Sequence, residues 1–264
     1  MNILKKFAFA ISFVFAANVA TAADNSIYID QSGDNATVTV TQDGAGNVMR
    51  GIQGVGSSNT TPAKIYGDGT LVAVSQIGSG NTLSLGVVST IATGAGAGTS
   101  ITYSVTGNNS TAVINSNSNG QGISASNTIG ITQTGNNASA NVNVLGSTNQ
   151  LNITTSGGAN NSVTATQNGD NNNTMISNTG GGGNSTTTNQ QGNNGMISIT
   201  TVGATNTTTV AQTGGGTNGH QATIDITGSG NTTSITQQGT SADSIVNLKS
   251  VGSTNTFSIN TNTH

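Results

Sequence analysis

Few residues of this chain could do acid–base, nucleophilic or metal chemistry. The 264 residues include no cysteine, no glutamate, eight aspartates and two histidines, His220 and His264. Neither histidine has a carboxylate or a second histidine at metal-ligand spacing, so a solvated side chain is the preferred interpretation of each. The aspartates lack an evident acid or base partner. We therefore expect no enzyme activity, no metal site and no cofactor.

The polar side chain that does recur at regular spacing is glutamine, whose amide both donates and accepts hydrogen bonds. Before Gln76, for example, Val72 and Val74 alternate with polar residues, which places the glutamine on the buried face of a strand. Eight glutamines follow one another at steps of 22 to 25 residues, or at about twice that step: Gln31, Gln53, Gln76, Gln121, Gln167, Gln190, Gln212 and Gln237.

Turns rich in glycine and asparagine must position these strands. Residues that tolerate a positive φ follow each glutamine, and a second alternating strand then begins. We assign Gln42 and Gln133, which have the same Q-x-G pattern, to second strands. The predicted turn residues are Gly33, Gly44, Asn47, Gly78, Asn81, Gly135, Gly169, Gly192, Gly214 and Gly239.

A period of two strands and two turns predicts an all-β fold, a β-solenoid of about ten stacked repeats of 22 to 23 residues. At a strand spacing of about 4.8 Å such a rod is about 50 Å long. Each glutamine then lies above another, and their amides form a ladder. A buried amide without such a partner costs ~1–3 kcal/mol, so the ladder also fixes the register.

The first residues have the pattern of an export signal. Lys5 and Lys6 precede a short apolar run, and residues 20–22 offer small side chains for cleavage. We predict a signal peptide at 1–22 and a secreted solenoid at 23–264, with irregular repeats at 85–130. The secreted part keeps three basic residues against eight aspartates, a net charge of −5, which argues against nucleic-acid binding. We expect no membrane insertion.

The repeat itself resembles the curlin family, the subunits of bacterial curli fibres. The turn pattern Q-x-G-x-G-N is complete in 42–47 and 76–81, whereas Gln53 and Gln121 lack the glycine two residues on. The resemblance implies a fimbrium at the cell surface, a functional amyloid with roles in adhesion and biofilm. It also implies an outer-membrane secretion channel and a nucleator subunit as partners. The chain has about twice the repeats of a typical curlin.

We expect the chain to self-assemble because of the sequence at the two ends of the solenoid. Strand-like sequence begins just after the predicted cleavage site and continues almost to His264, so we expect neither end to be capped. The first repeat, with Ile27 and Ile29, would then meet the last, with Phe257 and Ile259, in a homopolymer with a cross-β fibre structure. The alternative is a monomeric ice-binding or adhesive solenoid, because outward threonines recur, as in 37–41 and 207–209.

Overall fold

The structure, a computed structural model, describes residues 12–13, 24–54, 58–89, 98–118 and 126–263. Within these ranges all regular elements are strands, and no helix occurs. The strands are β1 (Ser12–Phe13), β2 (Ser26–Ile27), β3 (Ile29–Ser32), β4 (Thr37–Asp43), β5 (Val48–Arg50), β6 (Ala63–Tyr66), β7 (Leu71–Ile77), β8 (Thr82–Ser89), β9 (Ser100–Thr106), β10 (Thr111–Ser118), β11 (Thr128–Thr134), β12 (Ser139–Leu145), β13 (Gln150–Thr155), β14 (Ser162–Asn168), β15 (Asn173–Thr179), β16 (Ser185–Gln191), β17 (Met196–Val202), β18 (Thr207–Gly214), β19 (Gln221–Thr227), β20 (Thr232–Gly239), β21 (Ile245–Val251) and β22 (Thr256–Thr263).

The strands form two parallel sheets that face each other along the rod. Sheet A has the order β1-β4-β7-β9-β11-β13-β15-β17-β19-β21, and sheet B has the order β2-β5-β8-β10-β12-β14-β16-β18-β20-β22. The chain alternates between the sheets, so each strand pairs with the strand one turn later. The prediction of an all-β solenoid is confirmed, with about nine turns rather than ten.

An insertion interrupts sheet B near its N-terminal end. β5 pairs with the first half of β8, where Val48 is opposite Thr82, and β6 pairs with the second half, where Lys64 is opposite Gly86. β5 and β6 are therefore two halves of one strand position, separated by residues 51–62. β2 pairs with β5 and β3 pairs with β6, so β2 and β3 together form the preceding strand position of sheet B.

Strict alternation of side chains builds the core between the sheets. In β7, Val72, Val74 and Gln76 are buried and the residues between them are not. The strand opposite, β8, contributes Leu83 and Leu85, which are fully buried. Because the side-chain period of a strand is two, this pattern fixes which face of every strand points inward.

Glycine columns form the corners of the rod. A Cβ added to Gly146 would lie 2.1 Å from the carbonyl oxygen of Gly169, and one added to Gly169 would lie 2.1 Å from that of Gly192. All eight glycines predicted as turn residues have a positive φ. The corners therefore need glycine both for the backbone conformation and for the close approach of successive turns.

Two predicted features fall partly outside the described residues. The signal peptide, 1–22, lies outside them except for Ser12–Phe13, which pairs with Thr39 and Val40 of β4. Of the segment 85–130, predicted to hold irregular repeats, residues 90–97 and 119–125 lie outside the described residues, whereas β9 and β10 within it pair in full register with their neighbours. Their inward residues are mostly apolar and include no glutamine, so the ladder pattern did not reveal them.

Candidate functional site: amide columns and end strands

Four inward glutamines of sheet B are hydrogen bonded in series. Gln167 Nε2 donates to Gln190 Oε1 at 3.0 Å, Gln190 Nε2 donates to Gln212 Oε1 at 3.0 Å, and Gln212 Nε2 donates to Gln237 Oε1 at 2.8 Å. All four side chains are at most 2% exposed. Thr174 of the facing sheet donates its hydroxyl to Gln190 Oε1 at 2.6 Å. The column joins four turns through side chains as well as through the backbone.

This column stops at β12, where Val144 occupies the glutamine position opposite Gln167. Gln167 Oε1 is buried there and has no hydrogen-bond partner. Ser116 of β10 lies opposite Val144 on the other side and is also buried. Because valine stands at 144 where the pattern would have glutamine, Gln167 Oε1 has no donor from the preceding turn.

A second, shorter amide column lies on sheet A. Gln42 Nε2 donates to Gln76 Oε1 at 2.7 Å, and the next inward position holds Val105. Gln133 follows, and the hydroxyl of Tyr103 donates to its Oε1 at 3.0 Å. Tyr103 is fully buried, and burial raises the pKa of its phenol. Tyr103 thus supplies the donor that a glutamine at 105 would have supplied.

The structure divides the predicted glutamine set between the two sheets. The prediction that Gln76 and Gln167 belong to one ladder is wrong, and so is the assignment of Gln42 and Gln133 to a separate set of second strands. Gln42, Gln76 and Gln133 all lie on sheet A, whereas Gln167 lies on sheet B. Between Gln76 and Gln167 two turns are longer than the repeat: Gln76 and Val105 are 29 residues apart (105 − 76), and Val105 and Gln133 are 28 apart (133 − 105). Counting periods of 22 to 23 across them moves the assignment to the other sheet, and the insertion at 51–62 has the same effect between Gln31 and Gln76.

The remaining predicted ladder residues lie elsewhere. Gln53 is exposed, and its Nε2 donates to the carbonyl oxygen of Gly51 at 3.0 Å, because it belongs to the insertion and not to a strand. Gln31 is half-buried on β3 and bonds to Gly33, since its neighbour in the column is Ile65. Gln121 lies outside the described residues.

Asparagines after the turns form further columns. The backbone N–H groups of Asn184, Asn206, Asn231 and Asn255 each donate to the Oδ1 of the asparagine one turn earlier, at 2.9 to 3.1 Å. Asn206 Nδ2 also donates to the carbonyl oxygen of Gly228 in the next turn, at 2.8 Å. The predicted turn residues Asn47 and Asn81 make the same two contacts. These side chains satisfy backbone groups at corners that have no strand partner.

His220 takes the place of an asparagine in such a column on sheet A. It is fully buried, so the expectation of a solvated histidine was wrong. Ser244 N–H donates to Nδ1 at 3.2 Å, and Nε2 lies 3.2 Å from the carbonyl oxygen of Thr213. Since a backbone N–H can only donate and a carbonyl can only accept, the ring is the Nε2–H tautomer. Its position directly before a strand, where other turns have a buried asparagine, was the feature of the sequence that could have indicated its burial.

The predicted assembly residues lie on the first and last strands of the rod. Ile27, Ile29 and Ile259 are partly buried and pack against the core, and Phe257 is half-buried. In the described part of the chain, β22 pairs on one side only, with β20. Its other edge presents unpaired backbone groups in the register of the sheet.

The geometry of the amide columns offers stacking and hydrogen bonding. Among the described residues no group of three or more histidines and carboxylates could hold a metal ion, and no helix there could span a bilayer. Comparisons with protein-family models, curated proteins and solved structures found no match.

Proposed function

We propose that this chain is a secreted structural subunit that stacks head to tail into an extracellular cross-β fibre of the curli type. The observation that carries the proposal is the similarity of the two end strands. β22 presents Phe257, Ile259 and Thr261 on its inward face, and the first position of sheet B presents Ile27, Ile29 and Gln31.

The interior turns supply the contacts that a joint between two copies would reuse. Asn231 Oδ1 accepts the backbone N–H of Asn255 at 2.9 Å, and Asn255 precedes β22 just as Asn25 precedes β2. A second copy placed one strand spacing beyond β22 brings its Asn25 N–H to Asn255 Oδ1. The joint then continues both the backbone ladder and the asparagine column, which gives an open, heterologous contact that repeats without limit.

The wider roles follow from the resemblance to curlin repeats. They are adhesion and biofilm structure at the cell surface, export through an outer-membrane channel, and growth from a nucleator subunit. Growth by strand pairing needs no nucleotide or cofactor. Aligned fibres should diffract near 4.8 Å along their axis.

The substitution Ile259→Lys tests the joint. A lysine on this inward face would place an unpaired charge between two copies, at a cost of several kcal/mol per contact. The expected product is a β-rich monomer that no longer elongates, measured by circular dichroism and light scattering. The matched control is Ser258→Lys, which changes an outward residue of the same strand and should not prevent elongation. Growth of the Ile259→Lys chain at the parent rate would contradict head-to-tail stacking.

The outer face of sheet B favours one alternative, a monomer that binds ordered water or ice. Ser185, Thr207 and Thr232 stack in register, and so do Thr187 and Thr209 beside them. Such a regular hydroxyl array is what an ice-binding face requires. A chain that stays monomeric at high concentration and shows thermal hysteresis on freezing would favour this function over the fibre.

A further inference from the structure

The charged residues of sheet B gather at one place on its outer face. Asp30, Arg50 and Lys64 point outward from β3, β5 and β6. The outward positions of the other described strands of sheet B, from β8 to β22, carry no charge. Arg50 and Lys64 are two of the three basic residues that follow the predicted signal peptide. The rest of this surface consists of neutral hydroxyl and amide groups, so the cluster marks this place as a candidate binding site for a charged ligand.

A recess opens beside these charges, beneath the start and end of the insertion. It has a volume of about 310 Å³ and is lined by Gly51, Ile52, Pro62, Lys64, Gly86 and Asn115. Gly86 lies between Lys64 and Asn115 in the sheet, and the side chain of Ile52 packs over it, since a Cβ added to Gly86 would lie 2.9 Å from Ile52 Cδ1. We call this space the insertion recess. Its volume is at the lower end for small-molecule sites, enough for one sugar ring.

The polar groups around the insertion recess are suited to an anionic ligand. Lys64 is exposed and makes no ion pair among the described residues; its Nζ lies 5.9 Å from the centre of the Tyr66 ring. The carboxylate of Asp30 instead accepts from the Tyr66 hydroxyl at 2.6 Å. Arg50 is held beside the recess by Asn59, whose Oδ1 accepts from Nη1 at 2.6 Å. The ammonium of Lys64 is thus available to a carboxylate from outside.

The surface that continues from the recess is suited to the rest of a sugar chain. Asn115 Nδ2 donates to Asn143 Oδ1 of the next strand at 2.9 Å, and Thr166 follows in the same outward column. Amides and hydroxyls in a row offer both donors and acceptors to sugar hydroxyls. Ile52 and Tyr66 provide apolar surface for the face of a ring.

From this arrangement we propose that the insertion recess binds a uronate residue of an acidic polysaccharide. Lys64 bonds to the uronate carboxylate, Ile52 packs against the ring, and the column from Asn115 contacts the adjoining sugars. This site is independent of fibre growth, because all of its residues belong to one chain and lie away from the inward faces of the end strands.

Isothermal titration of the soluble chain with tetragalacturonate at low salt tests the proposal. We expect binding that weakens with added salt, and affinity at least about tenfold lower for the fully methyl-esterified tetramer, which has the same rings without the charge. Galacturonate monomer should bind more weakly than the tetramer. Equal affinity for monomer and tetramer would overturn a polysaccharide site, and absence of binding by the tetramer would overturn the site altogether.

Three variants locate the binding. Lys64→Gln should weaken tetramer binding about tenfold or more, the loss expected for one charge-assisted hydrogen bond. Lys249→Gln, which removes an exposed lysine from sheet A, should leave affinity within twofold. Gly86→Thr displaces the Ile52 side chain that packs over this glycine, without changing charge, and should also weaken binding, with folding checked by circular dichroism. An equal loss in the two lysine variants would show that only net charge matters and would contradict the recess.

Discussion

Replacement of Gln190 by leucine tests the amide column most directly. Leucine is close to glutamine in volume, so the change removes hydrogen bonds without opening a large cavity. Gln212 Oε1 loses its donor at 3.0 Å, and the Thr174 hydroxyl loses its acceptor at 2.6 Å. Gln167 Nε2 keeps the carbonyl oxygen of Gln150 at 3.0 Å and Thr174 Oγ1 at 3.2 Å.

The structure sets both the sign and the size of the effect. Two buried groups left unpaired cost ~1–3 kcal/mol each, or about 2–6 kcal/mol together. Burial of the more apolar leucine offsets part of this, by less than the about 1.5–3 kcal/mol of a whole apolar side chain, because the methylene groups of Gln190 are already buried. We expect Gln190→Leu to lower the free energy of unfolding by about 1–4 kcal/mol.

The assay is guanidinium unfolding of the soluble chain followed by circular dichroism. The control is Gln191→Leu, since Gln191 is the exposed neighbour on the same strand and its replacement should change stability by less than about 0.5 kcal/mol. Replacing all four glutamines from Gln167 to Gln237 should cost less than four times the single change, because both partners of each pair are then removed. Equal midpoints for the single variants would refute the inward hydrogen-bonded column.

Further perturbations test the neighbouring features. Val144→Gln should raise the unfolding midpoint, because it offers the missing donor to Gln167 Oε1. Tyr103→Phe should lower the midpoint at neutral pH. Burial raises the pKa of the Tyr103 phenol in the folded chain, so above about pH 10 the unfolded chain loses the phenol proton first and the folded chain loses stability as the pH rises. The Tyr103→Phe variant has no phenol to titrate, so its alkaline unfolding curves should lack this contribution to the loss of stability. Gly169→Ala should lower the melting temperature strongly, whereas Gly98→Ala, whose nearest contact would be 3.6 Å, should change it little.

The fold was predictable because its signal is local. Alternation along each strand and glycine at each turn are visible within about a dozen residues, as at Val72, Val74 and Gln76 followed by Gly78. The stacking of repeats then follows from their period. Nothing in this inference needs a contact between distant residues, so it succeeded despite variation among the turns.

What could not be predicted depends on contacts between turns. The insertion at 51–62 adds about half a repeat, and a count of residues cannot distinguish that from a regular strand and turn. The partnership of Tyr103 with Gln133 joins residues 30 positions apart and has no counterpart in the repeat pattern. The burial of His220 likewise depends on its place in a column whose neighbouring positions hold Gly195 and Ser244. These particular pairings across turns are therefore known only from the structure.

The glutamine columns have a direction. In both sheets the Nε2 of one glutamine donates toward the turn nearer the C-terminus, as from Gln42 to Gln76 and from Gln190 to Gln212. The asparagine columns lack this direction, because Asn206 Nδ2 donates both to Gly228 in the next turn and to Asn184 Oδ1 in the preceding turn. Because the glutamine amides donate in one direction, the two ends of the rod differ chemically. A fibre built from such rods is polar, and its two ends should elongate at different rates.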